Sequence, residues 1–187
     1  MTTNIAVFIS GSGTNLQAII DKVQARELDV NLRLVVSDKS NAYGLVRAHD
    51  AGIETLVQEK VNGESRSEYD ARLLDALTNY DLDLIVLSGF MRILTPEFVN
   101  RYEGKIINIH PSLLPKYPGL DTHRRAIEAG DKEHGTTVHF VTAELDAGPI
   151  IAQSRLQIQA GDDEENLKKR VQELEYDLYW RVISEVS

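Results

Sequence analysis

The chain has 187 residues, long enough to bury a core without disulfides, and its 42% hydrophobic and 26% charged residues are ordinary for a globular protein. The absence of cysteine excludes disulfides and thiolate metal sites and fits a reducing compartment. A net charge of −9 disfavours binding to nucleic acid or to an anionic membrane, because such a surface repels both. A small anionic ligand would need a local site that attracts it.

Neither a leader segment nor a membrane span is predicted. The first apolar run, Ile5 to Ile9, is too short for a signal peptide, and every apolar run falls short of the roughly 20 residues that cross a bilayer. The sequence shows no internal repeat and no linker rich in proline, glycine or serine. We therefore expect a single cytoplasmic domain over residues 1–187, without a membrane partner.

The first part of the chain alternates short apolar runs with amphipathic helical patterns. We predict strands over 4–10, 32–37, 53–57, 84–88 and 105–110, separated by helices over 15–23, 43–51, 65–79 and 96–101. The run 84–88 is the most apolar and is expected at the centre of the sheet, since strands covered on both faces lose their alternation. This order predicts an α/β fold with a doubly wound, mostly parallel, Rossmann-like sheet and helices on both faces.

The pattern changes after residue 110. Two more strands are predicted over 136–141 and 149–158, with Asp146-Ala147-Gly148 turning between them. A final helix is predicted over 162–184, because leucine and valine recur on one of its faces.

A glycine-rich turn, Gly11-Ser12-Gly13-Thr14-Asn15, joins the first strand to the first helix. Glycines allow a ligand close to the backbone, and the N–H groups that begin a helix form a donor-rich cup for phosphate. Leu16 stands where the dinucleotide pattern requires a third glycine, so we predict a site for one phosphate rather than a pyrophosphate. The turn alone leaves open a purely structural role with Thr14 as the N-cap.

Asn108 and His110 end the fifth predicted strand, just before Pro111. Ligands of open parallel sheets bind beyond the carboxyl ends of the strands, and residues two apart on a strand face the same way. Asn108 can donate to a developing oxyanion, and His110 can exchange a proton or stabilise that oxyanion when protonated. Asp146, in a tight turn, could orient the imidazole. This set predicts direct attack of an amine on a bound carbonyl carbon.

The remaining histidines are less informative. His139 shares a predicted strand with Thr137 and could face the site, His123 is ambiguous, and His134 and His49 are expected in solvent. The chain has no ligand spacing of the His-Glu-x-x-His type, so we expect no metal.

Five segments together resemble the folate-dependent phosphoribosylglycinamide formyltransferases of purine synthesis, over nearly the whole chain from Ile5 to about Glu175. They are ISGSGTNLQA at 9–18, SGFMRIL at 88–94, NIHPSLLP at 108–115, HGTTVH at 134–139 and LDAGP at 145–149. The Asn-x-His-Pro-Ser-Leu-Leu-Pro string is shared by the wider formyltransferase superfamily. The Ser-Gly-x-Gly-Thr-Asn start narrows the resemblance to the phosphoribosylglycinamide formyltransferases.

The resemblance implies the formyltransferase fold and transfer of a formyl group from 10-formyltetrahydrofolate to the amine of 5′-phosphoribosylglycinamide, without a metal and in a monomer or homodimer. It assigns catalysis to Asn108, His110 and Asp146. It assigns the substrate phosphate to Gly13, Thr14 and Asn15, and the amine or ribose side of that substrate to Glu175. For the folate it implies Arg66, Met91, Arg92, Ile93, Leu94, Asn108, Thr142 and Asp146, with the pterin near Leu94 and the loop 142–146.

The chain departs from the family pattern at two places. Asp121 stands where many members carry histidine, so no role is carried over to it, and the segment Tyr176–Trp180 after Glu175 also differs. Two alternatives use the same motifs. A formyltetrahydrofolate deformylase would let water take the formyl group, although its extra N-terminal domain is not expected here; a non-catalytic module would use the glycine-rich turn only to bind phosphate or nucleotide.

Overall fold

The computed structural model describes residues 2–187 and contains seven strands and six helices over that part of the chain. The strands are β1 (Thr3–Ile9), β2 (Val30–Ser37), β3 (Thr55–Val57), β4 (Leu84–Leu87), β5 (Ile106–His110), β6 (Glu133–Phe140) and β7 (Ile150–Gln157). The helices are α1 (Thr14–Gln24), α2 (Tyr43–Asp50), α3 (Arg66–Leu77), α4 (Pro96–Arg101), α5 (Thr122–Glu128) and α6 (Glu164–Val186).

All seven strands form one sheet in the order β3-β2-β1-β4-β5-β6-β7. The first five pair in parallel, whereas β6 runs antiparallel to β5 and forms a hairpin with β7. Strand β4 is the fourth of the seven, which confirms its predicted central position. The doubly wound, mostly parallel sheet is confirmed, and its direction of winding reverses between β1 and β4. That reversal opens a crevice at the carboxyl ends of the strands.

Two apolar layers cover the sheet. On one face, alternate residues of β1 such as Ile5 and Val7 pack with α1 and α6, and on the other Ala6 and Phe8 pack with α3 and α4. The strands lack polar alternation because both of their faces are buried in this way. The buried face of α3 contains Tyr69.

The structure contains one helix that was not predicted, α5, and several strands and helices begin or end at other residues than predicted. Helix α5 has seven residues, and a helix that short is stabilised by packing more than by its own sequence. Strand β6 begins three residues before the predicted start, at Glu133. The N-cap of α1 is Gly13 in a left-handed conformation, without a side-chain capping bond, so the alternative of Thr14 as N-cap is wrong.

Candidate active site

An open cleft of about 890 Å³ lies beyond the carboxyl ends of β1, β4 and β5, at the point where the sheet reverses its winding. It is lined by the glycine-rich turn, the segment 87–94, the ends of β5 and β6, the loop 141–146 and one face of α6. The predicted residues that line it are Gly13, Thr14, Asn15, Met91, Arg92, Ile93, Leu94, Asn108, His110, Thr142, Asp146 and Glu175. Arg66 is exposed at the start of α3, outside the group of described residues that line the cleft.

Asn108 and His139 face each other across the antiparallel pair β5 and β6. The Nδ2 of Asn108 lies 3.2 Å from the Nε2 of His139, whose Nδ1 lies 2.9 Å from the carbonyl oxygen of Phe140. Because a carbonyl only accepts, Nδ1 of His139 carries the proton and its Nε2 accepts from the Asn108 amide. Burial lowers the pKa of His139, which favours this neutral ring. The second amide hydrogen of Asn108 is left for a ligand.

His110 is buried, and both of its ring nitrogens have a neighbour in the site. Its Nε2 donates to the carbonyl oxygen of Tyr117 at 2.8 Å, and its Nδ1 lies 3.5 Å from Oδ2 of Asp146. The same Oδ2 accepts a hydrogen bond from the backbone N–H of Gly119 at 2.8 Å. Nδ1 of His110 therefore lies beside the Asp146 carboxylate, and both residues line the cleft. The structure thus brings Asn108, His110 and Asp146 together as predicted.

The glycine-rich turn lies against Glu175 of the last helix. The Nδ2 of Asn15 donates to Oε2 of Glu175 at 2.7 Å, although 160 residues separate the two in the chain. Burial raises the pKa of Glu175, and the hydrogen bond from Asn15 opposes that rise. Within residues 2–187, Oδ1 of Asn15 has no hydrogen-bond partner, so the site holds a buried acceptor for a ligand. The first turn of α1 also leaves backbone N–H groups free for an anion.

Other cleft residues were not identified from the sequence. Lys168 and Gln172 follow Glu164 at steps of four along α6, and all three line the cleft with Glu175. That spacing was visible in the sequence, but nothing in it shows which face of α6 meets the site. Gly119, which lines the cleft, and Tyr117, which does not, contact Asp146 and His110 through their backbone, which leaves no side-chain signal in the sequence. Asp121 lines the cleft as an exposed residue paired with Arg124 at 2.7 Å.

The remaining histidines divide into buried and exposed positions. His139 lines the cleft, as the strand pattern allowed, and His49 is exposed as predicted. The prediction that His134 lies in solvent is wrong, because it is 1% exposed and its Nε2 lies 3.1 Å from Nδ1 of the buried His123. His134 belongs to strand β6, which begins at Glu133 and lies between β5 and β7 in the sheet. The strand had been predicted to begin only after His134.

Among residues 2–187, no group of three or more His, Cys, Asp or Glu side chains is arranged to hold a metal ion. Over the same residues, none of the helices is both long and apolar enough to cross a membrane.

Known proteins resemble this chain over nearly its whole length. The family model described as formyl transferase matches residues 3–183. The phosphoribosylglycinamide formyltransferase of Escherichia coli K12 is 52% identical over 97% of this chain and 85% of its own length, and that of Haemophilus influenzae is 51% identical over 96% and 84%. A solved phosphoribosylglycinamide formyltransferase from Coxiella burnetii superposes with a TM-score of 0.93 at 50% identity, over 98% of this chain and 86% of that one. The chain therefore belongs to the formyl transferase family and, within it, to the phosphoribosylglycinamide formyltransferases.

Proposed function

We propose that this cleft is where the protein transfers the formyl group of 10-formyltetrahydrofolate to the amine of 5′-phosphoribosylglycinamide in de novo purine synthesis, using Asn108, His110 and Asp146. The products are formyl-phosphoribosylglycinamide and tetrahydrofolate. One observation carries the assignment of these residues: an amide donor, an imidazole and a carboxylate converge on a cleft that also contains a glycine-rich helix start.

The acceptor would bind at the end of the cleft formed by α1 and α6. Its phosphate fits the N–H groups that follow Gly13, where the helix dipole is positive, together with the side chains of Thr14 and Asn15. Glu175 and the free Oδ1 of Asn15 offer acceptors for the ribose hydroxyls or the glycinamide nitrogens. This placement leaves the amine near His110, which lines the same cleft.

The folate would bind along the segment 91–94 and the loop 142–146. Met91 and Ile93 are 62% and 47% exposed, and exposed apolar side chains at the mouth of a cleft can cover a flat ring. The guanidinium of Arg92 lies 3.6 Å from the centre of the Tyr69 ring, and its Nε has no partner among the described residues. Thr142 and Leu94 also line the cleft, whereas the role of Arg66 in folate binding stays a prediction.

The residues of the trio divide the chemistry between them. The substrate amine attacks the formyl carbon, and the formyl oxygen becomes an oxyanion that the free amide hydrogen of Asn108 and a proton on Nδ1 of His110 stabilise. The bond between this carbon and N10 of the folate then breaks, and the oxyanion re-forms a carbonyl. The amine loses one proton and N10 gains one. Asp146, beside Nδ1 of His110, is the carboxylate placed to assist that transfer.

Further expectations from the sequence belong to this proposal. The lack of cysteine supports work in the cytoplasm, and the expectations of one domain over residues 1–187, of a monomer or homodimer, and of no nucleic-acid partner are retained. The acceptor site at Asn15 and Glu175 favours a transferase over a deformylase, in which water would be the acceptor.

The proposal is tested by following tetrahydrofolate release from 10-formyltetrahydrofolate with and without phosphoribosylglycinamide. We expect release that depends on the acceptor and matches the formylated product mole for mole. Tetrahydrofolate release at the same rate without phosphoribosylglycinamide would identify a deformylase. No release under either condition would indicate a module that binds phosphate without chemistry.

A further inference from the structure

One short turn holds two residues of the trio through its backbone. The carbonyl oxygen of Tyr117 accepts from Nε2 of His110, and the N–H of Gly119 donates to Oδ2 of Asp146, both at 2.8 Å. His110 lies on β5 and Asp146 on the loop after β6, so the turn links two elements that each supply one group. A displacement of the turn would therefore change the orientation of both side chains.

The backbone of this turn needs outside support. Tyr117 has a φ of 56°, in the left-handed region that disfavours side chains with a Cβ. Such a conformation costs on the order of 1 kcal/mol and persists where surrounding contacts hold it. The turn must therefore be stabilised by contacts beyond its own hydrogen bonds.

Three side chains support the turn: Ser112 donates through Oγ to the carbonyl oxygen of Lys116 at 2.6 Å, Arg125 donates to that of Pro118 at 2.7 Å, and the third support is the phenol of Tyr117. Its hydroxyl donates to Oδ2 of Asp131 at 2.8 Å, and Lys116 pairs with the same carboxylate at 2.9 Å. The hydrogen bonds from Lys116 and Tyr117 lower the pKa of Asp131, so the acceptor stays ionised at neutral pH. The Tyr117 ring also packs edge-on against the buried His134, with 6.5 Å between the ring centres. Neither the hydroxyl nor Asp131 lines the cleft.

We propose that Tyr117 and Asp131 are positioning residues for formyl transfer: their hydroxyl–carboxylate bond fixes the turn whose backbone orients His110 and Asp146. The inference rests on the proposed roles of those two side chains. It assigns a function to a contact outside the cleft, which acts through the turn and does not touch a substrate.

The first test compares Tyr117→Phe with Asp131→Ala and Asp131→Asn in the full chain. We expect Tyr117→Phe and Asp131→Ala to lower kcat on the order of 10-fold with both KM values unchanged, since a misplaced catalytic group costs rate rather than binding. Asp131→Asn keeps an oxygen that can accept from the phenol and should recover most of the loss. Tyr80→Phe is the matched control, because it removes a similar tyrosine–carboxylate bond, to Glu54, away from the cleft.

A double-mutant cycle separates positioning from general destabilisation. The rate of formyl transfer is measured by single turnover in a His110→Ala background. Tyr117→Phe should lower this rate by much less than it does in the wild type, because the imidazole that Tyr117 positions is absent. An equal loss in both backgrounds, or wild-type kcat in Tyr117→Phe, would overturn the proposal. Asp131→Ala replaces Tyr117→Phe if that variant does not fold, and failure of both to fold would show that the contact is only structural.

The same data distinguish this inference from the proposed function. If His110→Ala keeps near-normal turnover, the proposed role of His110 is wrong, and the positioning role of Tyr117 and Asp131 is wrong with it. If His110→Ala loses turnover while Tyr117→Phe does not, only the positioning role is wrong.

Discussion

The orientation of the Asn108 amide is set by a single buried ring. His139 must accept at Nε2, since its Nδ1 donates to the Phe140 carbonyl, and this directs the nitrogen of the Asn108 amide toward it. An amide held in this way presents N–H rather than carbonyl oxygen to the site, which is the polarity that an oxyanion needs. His139 thus orients the Asn108 amide. His110 donates through Nε2 to the Tyr117 carbonyl oxygen, and its Nδ1, near the Asp146 carboxylate, remains available for proton exchange.

Replacement of Asn108 by alanine should lower kcat on the order of 10²- to 10³-fold, because it removes one preorganised donor to the oxyanion. KM for both substrates should change little. Steady-state kinetics check this, with Asn31→Ala, an exposed asparagine on β2, as the control. Near-normal turnover of Asn108→Ala would show that the oxyanion is stabilised elsewhere.

At the scale of elements, α2 closely supports the glycine-rich turn. Gly44 in the first turn of α2 donates its N–H to the carbonyl oxygen of Gly11 at 3.0 Å. A Cβ on Gly44 would lie 2.4 Å from Cδ1 of Ile9 and 3.2 Å from Cα of Gly13. Since Ile9 is buried and Cα of Gly13 belongs to the turn, a side chain at position 44 would require both to shift.

Substitution of Gly44 by alanine should weaken acceptor binding without touching the acceptor. Overpacking of this kind costs about 1–3 kcal/mol. If distortion of the turn reduces the binding free energy of phosphoribosylglycinamide by about 1 kcal/mol, its Kd rises about fivefold. Isothermal titration calorimetry measures this, and Val46→Ala, a half-exposed position of the same helix, is the control. Wild-type affinity in Gly44→Ala would mean that the turn does not depend on α2.

At the scale of the whole molecule, we propose that a protein with a net charge of −9 binds its anionic acceptor mainly through the backbone N–H groups at the start of α1. The reversal of the sheet between β1 and β4 brings the start of α1 to the cleft, and its dipole attracts an anion locally. Beside the cleft, which His123 lines, the buried pair His123 and His134 links α5 to β6. This pair makes the stability of the molecule depend on pH.

Burial lowers the pKa of both His123 and His134 to about 4. The unfolded chain takes up protons near pH 6.5 and the native chain only near pH 4, so the contribution of these residues to stability is complete above pH 6.5 and is lost as the pH falls toward 4. For each histidine, the free energy of unfolding falls by up to about 3 kcal/mol between pH 6.5 and pH 4.

His134→Gln removes one of these protonation sites, so its free energy of unfolding should fall less than that of the wild type between pH 7.5 and pH 5. The difference should be on the order of 2 kcal/mol. Urea denaturation at the two pH values measures it, and His49→Gln, which replaces an exposed histidine, should behave as the wild type. Equal pH dependence of His134→Gln and the wild type would contradict the buried, neutral pair.

Local patterns in the sequence were sufficient for much of this protein. The apolar period of each run determined the strands and helices, the glycines marked the turn at the start of α1, and the two-residue spacing of Asn108 and His110 placed them on one face of β5. These features depend on residues that are neighbours in the chain. The doubly wound sheet follows from their order, because connections between parallel strands have a preferred hand.

Only the tertiary structure decided the contacts between distant segments. It placed Glu175 on Asn15 across 160 residues, brought Tyr117 and Gly119 to His110 and Asp146, buried His134, and stabilised the short helix α5. None of these has a local signal, because a backbone carbonyl or N–H belongs to every residue and a helix of seven residues depends on its packing partners. Which carbonyl meets which side chain is determined when the layers pack.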